Sequence, residues 1–187
     1  MVRKRAKEVF DWIKIFVIAI VIAVLVRMFL FSPIIVDGPS MQPTLYDRDQ
    51  MLVNKFIYMF KEPERFDIVI FHASDEKDFI KRVIGLPGEH VKIVDNDLYI
   101  NGELVEQRFL DKGEETSVIY PIITTDFTLE TLPGNYEVIP DNHVLVLGDN
   151  GSNSTDSRSL GLIEMDQIVG KTNFIYWPFD RIQIVKN

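Results

Sequence analysis

One long apolar segment near the N-terminus constrains the fold of this chain more than any other feature of its sequence. Residues 15–36 read IFVIAIVIAVLVRMFLFSPIIV, interrupted only by Arg27, Ser32 and Pro33. As a helix, residues 13–31 would be about 28 Å long, which matches a bilayer core of roughly 30 Å. Arg27 lies near the end, where a long side chain reaches the headgroups, and Pro33 is expected to end the helix. The segment predicts a transmembrane helix over residues 13–31.

A cleavable secretory signal is the alternative interpretation, because a basic start and an apolar run over residues 15–26 suit one. The following residues, RMFLFSPIIV, contain no pair of small residues spaced for cleavage, so a retained anchor is expected. Basic residues dominate the segment before the anchor, with Arg3, Lys4, Arg5, Lys7 and Lys14 opposed only by Glu8 and Asp11. Residues 1–12 are therefore predicted to be a cytoplasmic basic segment, and residues 32–187 an extracytoplasmic domain of a single-pass membrane protein.

Charge and cysteine content narrow the possible partners of the outer domain. Residues 1–30 hold six of the 20 Lys and Arg residues and two of the 28 Asp and Glu residues, so the remainder carries 14 basic against 26 acidic residues, a net charge of −12. Such a balance argues against nucleic-acid binding. The sequence has no cysteine, which excludes disulfides, thiol catalysis and cysteine-based zinc sites. We predict no metal and no cofactor.

Short apolar runs separated by turn residues fill most of residues 32–187. They read QMLVNKF, FDIVIFH, FIKRVIGL, HVKIV, DLYING, HVLVLGD, NFIYW and RIQIV. This pattern predicts a mainly β domain, partly open or barrel-like. Asn101 and Gly102 predict a tight hairpin turn in DNDLYINGELV. Residues from about 104 to 140 are the least patterned and are predicted to be a variable insertion.

Ser40, in the stretch VDGPSMQPTL, is the first candidate nucleophile. Its context differs from the G-x-S-x-G nucleophile elbow, because Gln42 stands where that motif has glycine. A Ser-His-Asp hydrolase would also need a histidine base. The three histidines, His72, His90 and His143, have no distinctive setting. The residues alone leave open whether Ser40 is a nucleophile or a turn residue.

Lys81, in DFIKRVIGL, is a candidate base with apolar residues on both sides. If residues 79–84 form a strand, Phe79, Lys81 and Val83 share one face. Burial disfavours the charged amine, and lowering its pKa to about 8 would need about 3.3 kcal/mol. The alternative is a lysine at a strand edge with its charged end in solvent, and this stretch alone favours that alternative.

A dense polar loop, LGDNGSNSTDSRSLG at residues 147–161, follows an apolar strand. It contains several hydroxyl groups and the possible ion pair of Asp156 with Arg158. A calcium loop is disfavoured, because Asp149 and Asp156 are seven residues apart, unlike the spacing of an EF-hand. A turn-rich surface loop remains the alternative.

Three of these segments together resemble the type I signal peptidases, peptidase family S26, and in particular their Gram-positive branch. The matching stretches are G-x-S-M-x-P-T-L at residues 38–45, KRVIGLPGE at residues 81–89, and G-D-N…S-x-D-S-R…G at residues 148–161. RFDIVIF at residues 65–71 resembles a further strand of the family. The resemblance implies a membrane-bound serine endopeptidase that removes N-terminal signal peptides from exported preproteins after a small-x-small motif. It also implies a β-rich catalytic domain similar to that of self-cleaving SOS repressors.

The resemblance further implies a role for each matching residue. Ser40 would be the nucleophile and Lys81 the general base, with Ser154 orienting the lysine. Asp156 would pair with Arg158, and Arg82 and Asp149 would support the site. An apolar substrate pocket is expected from Ile34, Val36, Met41, Leu45, Phe79 and Ile80. Some members have a serine two positions before the nucleophile, where its hydroxyl binds the oxyanion; here that position is Gly38.

A non-catalytic relative is the main alternative, namely a membrane-anchored assembly factor or chaperone that keeps the fold and a peptide groove. Such a protein would be expected to have lost Ser40 or Lys81, and both are present. An anchored binding domain without peptidase ancestry is a weaker alternative. The expected partners are the signal peptides of preproteins and the lipid bilayer, and the chain is expected to act as a monomer.

Overall fold

The computed structural model describes residues 2–74, 77–107 and 124–185, with the side chains of all of these except residues 2–9 and 25–29. The chain begins with helix α1, Val2–Phe29, and continues as strands joined by turns, loops and short 3-10 helices. The strands are β1 Phe31–Ile35, β2 Gln50–Asn54, β3 Ile68–Ser74, β4 Lys77–Gly85, β5 Val91–Val94, β6 Asp97–Ile100, β7 Glu103–Val105, β8 Phe127–Thr128, β9 His143–Leu147, β10 Ile163–Glu164, β11 Ile168–Trp177 and β12 Gln183–Ile184. One further short helix, α2, is Ser157–Leu160. The predicted mainly β class is confirmed.

The helix at the N-terminus has other bounds than the sequence predicted. It begins well before residue 13, at Val2, and ends at Phe29, two residues short of the predicted end. Pro33 lies inside β1, opposite Leu52 of β2. β1 is an edge strand, where the missing N–H of a proline breaks no ladder bond. Where side chains are described, no helical stretch is both long and apolar enough to cross a membrane.

The strands form two antiparallel sheets. The larger has eight strands in the order β1-β2-β11-β3-β4-β9-β10, with β12 beside β11, and the smaller has four in the order β7-β6-β5-β8. The predicted hairpin is confirmed, since β6 pairs with β7 around Asn101 and Gly102, whose φ angles are 52° and 85°. The smaller sheet packs on the larger one through a shared apolar cluster, in which Val91 and Leu98 meet Leu145 of β9.

The segment predicted as a variable insertion, residues 104–140, is only partly described, because residues 108–123 lie outside the described ranges. Its later part belongs to the fold. β8 pairs with β5, and the 3-10 turn Leu129–Thr131 fully buries Leu129. The later part of the segment contributes Phe127, Leu129, Leu132 and Ile139 to a buried apolar cluster, so it is not a surface insertion throughout.

Two strands of the larger sheet position the functional residues. β1 runs into the turn that carries Ser40, and β4 lies between β3 and β9 in the middle of the sheet. Beneath them, a buried cluster joins Val36 and Met41, beside the Ser40 turn, to Ile68 and Ile80 of the sheet. The Ser40 turn and β4 are therefore packed against one core.

Candidate active site

Ser40 lies in a turn that the residues around it hold in place. Val36 and the 48–49 segment exchange two backbone hydrogen bonds of 2.8 Å, which close the loop that contains Ser40. Gly38 has a φ of 85°, a conformation that favours glycine, and its N–H donates to Asp47 Oδ1 at 2.9 Å. Gln42 N–H donates to the Pro39 carbonyl at 3.0 Å. Ser40 is thus presented at the start of a closed turn.

Lys81, on β4, reaches Ser40 across the sheet. Its Nζ lies 2.8 Å from Ser40 Oγ and 2.9 Å from the carbonyl oxygen of Ile80. Lys81 is only 3% exposed, and its Nζ lies 5.2 Å from the centroid of the Phe79 ring. Burial lowers the pKa of Lys81 to about 8, although the charges of Asp156 and Asp149 oppose the shift. The strand-edge alternative for Lys81 is wrong, because β4 is central and the amine points at Ser40.

The polar loop after β9 approaches the nucleophile through a glycine. A Cβ on Gly148 would come within 2.5 Å of the Ser40 carbonyl oxygen and 2.2 Å of Ser154 Oγ, so no larger residue fits without movement. Ser154 Oγ is buried, and it has no hydrogen-bond partner among the described residues. The expected contact of Ser154 with Lys81 is therefore not made in this structure. The amine instead bonds to Ser40 and Ile80.

Arg82 and Asp149 form a buried ion pair that fastens this loop to β4. Arg82 Nε and Nη2 donate to the two carboxylate oxygens of Asp149 at 2.9 and 2.7 Å, and both side chains are at most 2% exposed. Thr44, beyond the nucleophile turn, donates its hydroxyl to Asp149 at 2.5 Å. Asp149 thereby connects the three segments that meet at the site.

Asp156 and Arg158 form a second ion pair with two hydrogen bonds, within the loop. Arg158 Nε and Nη2 donate to Asp156 at 2.8 and 2.6 Å, and Asp156 is fully buried. Gly148 N–H also donates to Asp156, at 3.0 Å. Arg158 Nη1 reaches the carbonyl oxygen of Gly151 at 2.6 Å. The pair sets the path of the loop between Gly148 and α2.

A cleft of about 470 Å³ opens beside the two functional side chains. Five of the six predicted pocket residues line it, namely Ile34, Val36, Met41, Phe79 and Ile80. Leu45 is the exception and corrects the prediction, because it is fully buried in the core below the Ser40 turn. The loop contributes a polar wall from Ser152 to Thr155. The cleft is thus apolar along two strands and polar along the loop.

None of the three histidines lines the cleft, although Asp78, the partner of His72, does. His72 pairs with Asp78 at 2.6 Å, His90 with Glu130 at 3.0 Å, and His143 with the carbonyl oxygen of Asp141 at 2.9 Å. In the described part of the chain, no three or more metal-ligating side chains come together. The sequence did not single out Asn150, whose backbone and side chain both bond to the nucleophile turn. Its place in the G-D-N motif was the only signal available.

A serine within hydrogen-bond distance of a buried lysine of lowered pKa is the arrangement of a serine peptidase that uses lysine in place of histidine. Comparison with known proteins indicates the same class of enzyme. The family described as signal peptidase, peptidase S26, matches residues 9–177. Signal peptidase I S of Bacillus subtilis (strain 168) is 40% identical over 182 residues, covering 96% of this chain and 95% of that protein. Signal peptidase IB of Staphylococcus aureus (strain COL) is 39% identical over 180 residues, covering 95% and 94%.

A solved structure is similar as well. The crystal structure of a signal peptidase I from Enterococcus faecalis V583 is 38% identical, with a TM-score of 0.50, and the match covers 59% of this chain and 97% of that one. The chain therefore belongs to the signal peptidase family, peptidase S26, and is a serine endopeptidase. The family resemblance that the three sequence segments indicated is confirmed.

Proposed function

We propose that this chain removes N-terminal signal peptides from exported preproteins, with Ser40 as the nucleophile and Lys81 as the general base. The observation that carries the proposal is the 2.8 Å contact between Lys81 Nζ and Ser40 Oγ. A buried amine whose pKa is about 8 is deprotonated often enough near neutral pH to accept the serine proton. The names of the relatives support the choice of substrate.

The reaction follows from this geometry in two halves. Neutral Lys81 takes the Ser40 proton as Oγ attacks the carbonyl carbon of the scissile peptide bond. The protonated amine then gives that proton to the leaving nitrogen, and the signal peptide stays bound to Ser40 as an ester. In the second half, Lys81 takes a proton from water, which attacks the ester, and Ser40 recovers its proton as the acyl group leaves.

The negative oxygen of the tetrahedral intermediate needs hydrogen-bond donors, and the turn supplies one of them. The Ser40 N–H donates no hydrogen bond to another described residue and is available for this purpose. Pro39 has no N–H, Gly38 has no side chain, and the Gly38 N–H is already bonded to Asp47. Gly38 therefore does not replace the hydroxyl that some family members have at this position.

Small residues before the scissile bond fit the shape of the cleft. A substrate strand laid between β1 and β4 would present alternate side chains to the same wall. That wall includes Val36 and Ile80, which are 3% and 9% exposed, and the half-buried Ile34 and Phe79. An apolar wall of this kind suits small apolar side chains, which supports a preference for the small-x-small motif.

A membrane anchor and an extracytoplasmic catalytic domain complete the proposal. All described side chains of α1, residues 10–24, are exposed, and most of them are apolar. A helix that is apolar all round requires a non-aqueous environment. At no more than about 3.5 Å per residue, Ser40 lies within roughly 30 Å of the point where the chain would leave the membrane. Ser40 and Lys81 come from one chain, so the enzyme is expected to act as a monomer.

Cleavage of a preprotein reconstituted in lipid vesicles tests the proposal. The wild type, Ser40→Ala and Lys81→Ala are compared, with Lys92→Ala in the smaller sheet as a control, and circular dichroism confirms that each variant folds. Wild type and control should cut after the small-x-small motif, and the two site variants should not. Full activity of Lys81→Ala would show that the base is another group. A wild type that binds the signal peptide without cutting it would support a chaperone instead.

A further inference from the structure

Asn150 makes two hydrogen bonds to the turn that carries the nucleophile, one from its side chain and one from its backbone. Its side-chain Nδ2 donates to the carbonyl oxygen of Pro39 at 3.1 Å. Its backbone N–H donates to the carbonyl oxygen of Ser40 at 3.0 Å. Asn150 therefore holds the carbonyls on both sides of the nucleophile.

The orientation of the Asn150 amide follows from its two side-chain partners. The Ser152 hydroxyl donates to Asn150 Oδ1 at 3.2 Å, while Nδ2 faces the Pro39 carbonyl. The flipped amide would bring Oδ1 against the carbonyl oxygen, which offers no proton. A hydrogen-bond donor, and not merely a polar group, is thus required where Nδ2 lies.

Anchoring the Pro39 carbonyl also sets the direction of the Ser40 N–H. The two groups belong to one planar trans peptide, in which the C=O and the N–H point in opposite directions. The Pro39 carbonyl faces Asn150 and the Gln42 N–H, so the Ser40 N–H faces away from both. The Ser40 N–H donates no hydrogen bond to any described residue, and Ser40 lines the cleft.

We propose that Asn150 is a positioning residue for the transition state: by holding the Pro39–Ser40 peptide, it aims the Ser40 N–H at the oxyanion. The inference rests on the proposed role of Ser40. The Gln42–Pro39 bond already closes the turn, at 3.0 Å, so the side chain of Asn150 is not needed to form it. The side chain of Asn150 instead fixes the orientation of the Pro39–Ser40 peptide plane. That orientation matters most when negative charge develops on the substrate oxygen.

Kinetics of Asn150→Ala and Asn150→Asp on a soluble signal-peptide substrate test this inference. The alanine variant removes Nδ2 and keeps the backbone bond to Ser40. The aspartate variant keeps the shape but places an oxygen against the Pro39 carbonyl, so it should be at least as impaired. We expect kcat to fall roughly 10- to 100-fold in both, with KM changed less than about twofold. The apparent pKa of the pH-rate profile should be the same in Asn150→Ala as in the wild type, because the substitution leaves Lys81 and its charged neighbours unchanged.

Two inhibitors separate positioning of the oxyanion donor from a structural role. A peptide aldehyde ending in alanine adds to Ser40 and forms an oxyanion, whereas the matching peptide alcohol cannot. Affinity for the aldehyde should fall by the same factor as kcat/KM, and affinity for the alcohol should stay within about twofold. Asn173→Ala, an asparagine of β11 whose side chain makes no hydrogen bond in the described structure, is the matched control.

Equal losses for aldehyde and alcohol, or unchanged kinetics in both variants, would overturn the inference. Thermal unfolding of each variant shows whether an equal loss comes from misfolding, and measurements are then repeated at a temperature where all variants are folded. Ser40→Ala is measured alongside. If that variant still cleaves, the proposed function fails independently of Asn150. If it is inactive and Asn150→Ala behaves as wild type, only the role of Asn150 is wrong.

Discussion

Lys81 has to lose a proton before it can act as a base, and its surroundings decide the pH at which it does so. Burial lowers the pKa of Lys81 from its ordinary value of 10.5 to about 8. We expect kcat/KM to rise about tenfold per pH unit below 8 and to level off above it. A pH-rate profile with a soluble peptide substrate gives the apparent pKa at which kcat/KM levels off. An apparent pKa near 6.5, where histidine titrates, would contradict the assignment of Lys81 as the base.

The same lowered pKa means that Lys81 destabilises the folded protein at neutral pH. Below pH 8 the Lys81 amine is charged in both the folded and the unfolded protein. Burial raises the free energy of the charged amine only in the folded protein. We expect Lys81→Met to raise the free energy of unfolding at pH 7 by up to about 3 kcal/mol. The gain should shrink between pH 8 and 10.5 and vanish above that, where both states hold a neutral amine.

Urea unfolding at several pH values measures this gain. Ser40→Ala is the matched control, because it is also expected to abolish activity but leaves the buried amine in place, and it should show no such stabilisation. A destabilised Lys81→Met at pH 7 would show that the contacts of the amine outweigh the penalty of burying it.

At the scale of elements, the site depends on the ion pair that fastens the loop after β9 to β4. Arg82 and Asp149 are at most 2% exposed, so removing either leaves an unpaired buried charge. We expect Arg82→Ala to lower the free energy of unfolding by about 3–5 kcal/mol. The double variant with Asp149→Ala should lose less than the sum of the two single losses, because no charge is left unpaired.

Chemical denaturation of the two single variants and the double variant gives this coupling energy directly. Arg48→Ala provides the matched arginine control, since its pair with Asp47 has side chains that are 90% and 53% exposed. That variant should change stability by less than about 1 kcal/mol. Strictly additive losses for Arg82 and Asp149 would show that the pair does not act as a unit.

The sequence predicted elements well where the signal was local and missed them where pairing partners are distant. Asn101 and Gly102 define their hairpin through their own backbone preferences, so that turn was predictable. β8 has only two residues and exists because β5 lies beside it. In the site, the motifs named the right loops, but Leu45 lies in the core and Ser154 makes no bond to Lys81. Such contacts depend on how distant segments pack, which one sequence does not reveal.

At the scale of the whole molecule, the helix and the catalytic domain meet at a single point along the chain. α1 ends at Phe29 and β1 begins at Phe31, and Lys55 N–H donates to the carbonyl oxygen of Leu30 between them at 2.9 Å. β1 is held by its pairing with β2 and not by the helix. The core of the domain contains no described residue of α1. The domain should therefore fold and catalyse without the helix.

Removing residues 1–29 tests what the helix contributes. The truncated chain keeps β1 and should cleave a soluble peptide with a kcat/KM within about threefold of the full chain, because the described contacts of Ser40 and Lys81 involve no residue of α1. On a preprotein held in lipid vesicles, its rate should fall roughly 100-fold or more, because the membrane anchor proposed above would confine enzyme and substrate to one surface and so raise their effective concentration. Equal loss on both substrates would mean that the helix supports the fold instead. Undiminished cleavage of the vesicle-held preprotein would contradict the proposed role of α1 as a membrane anchor.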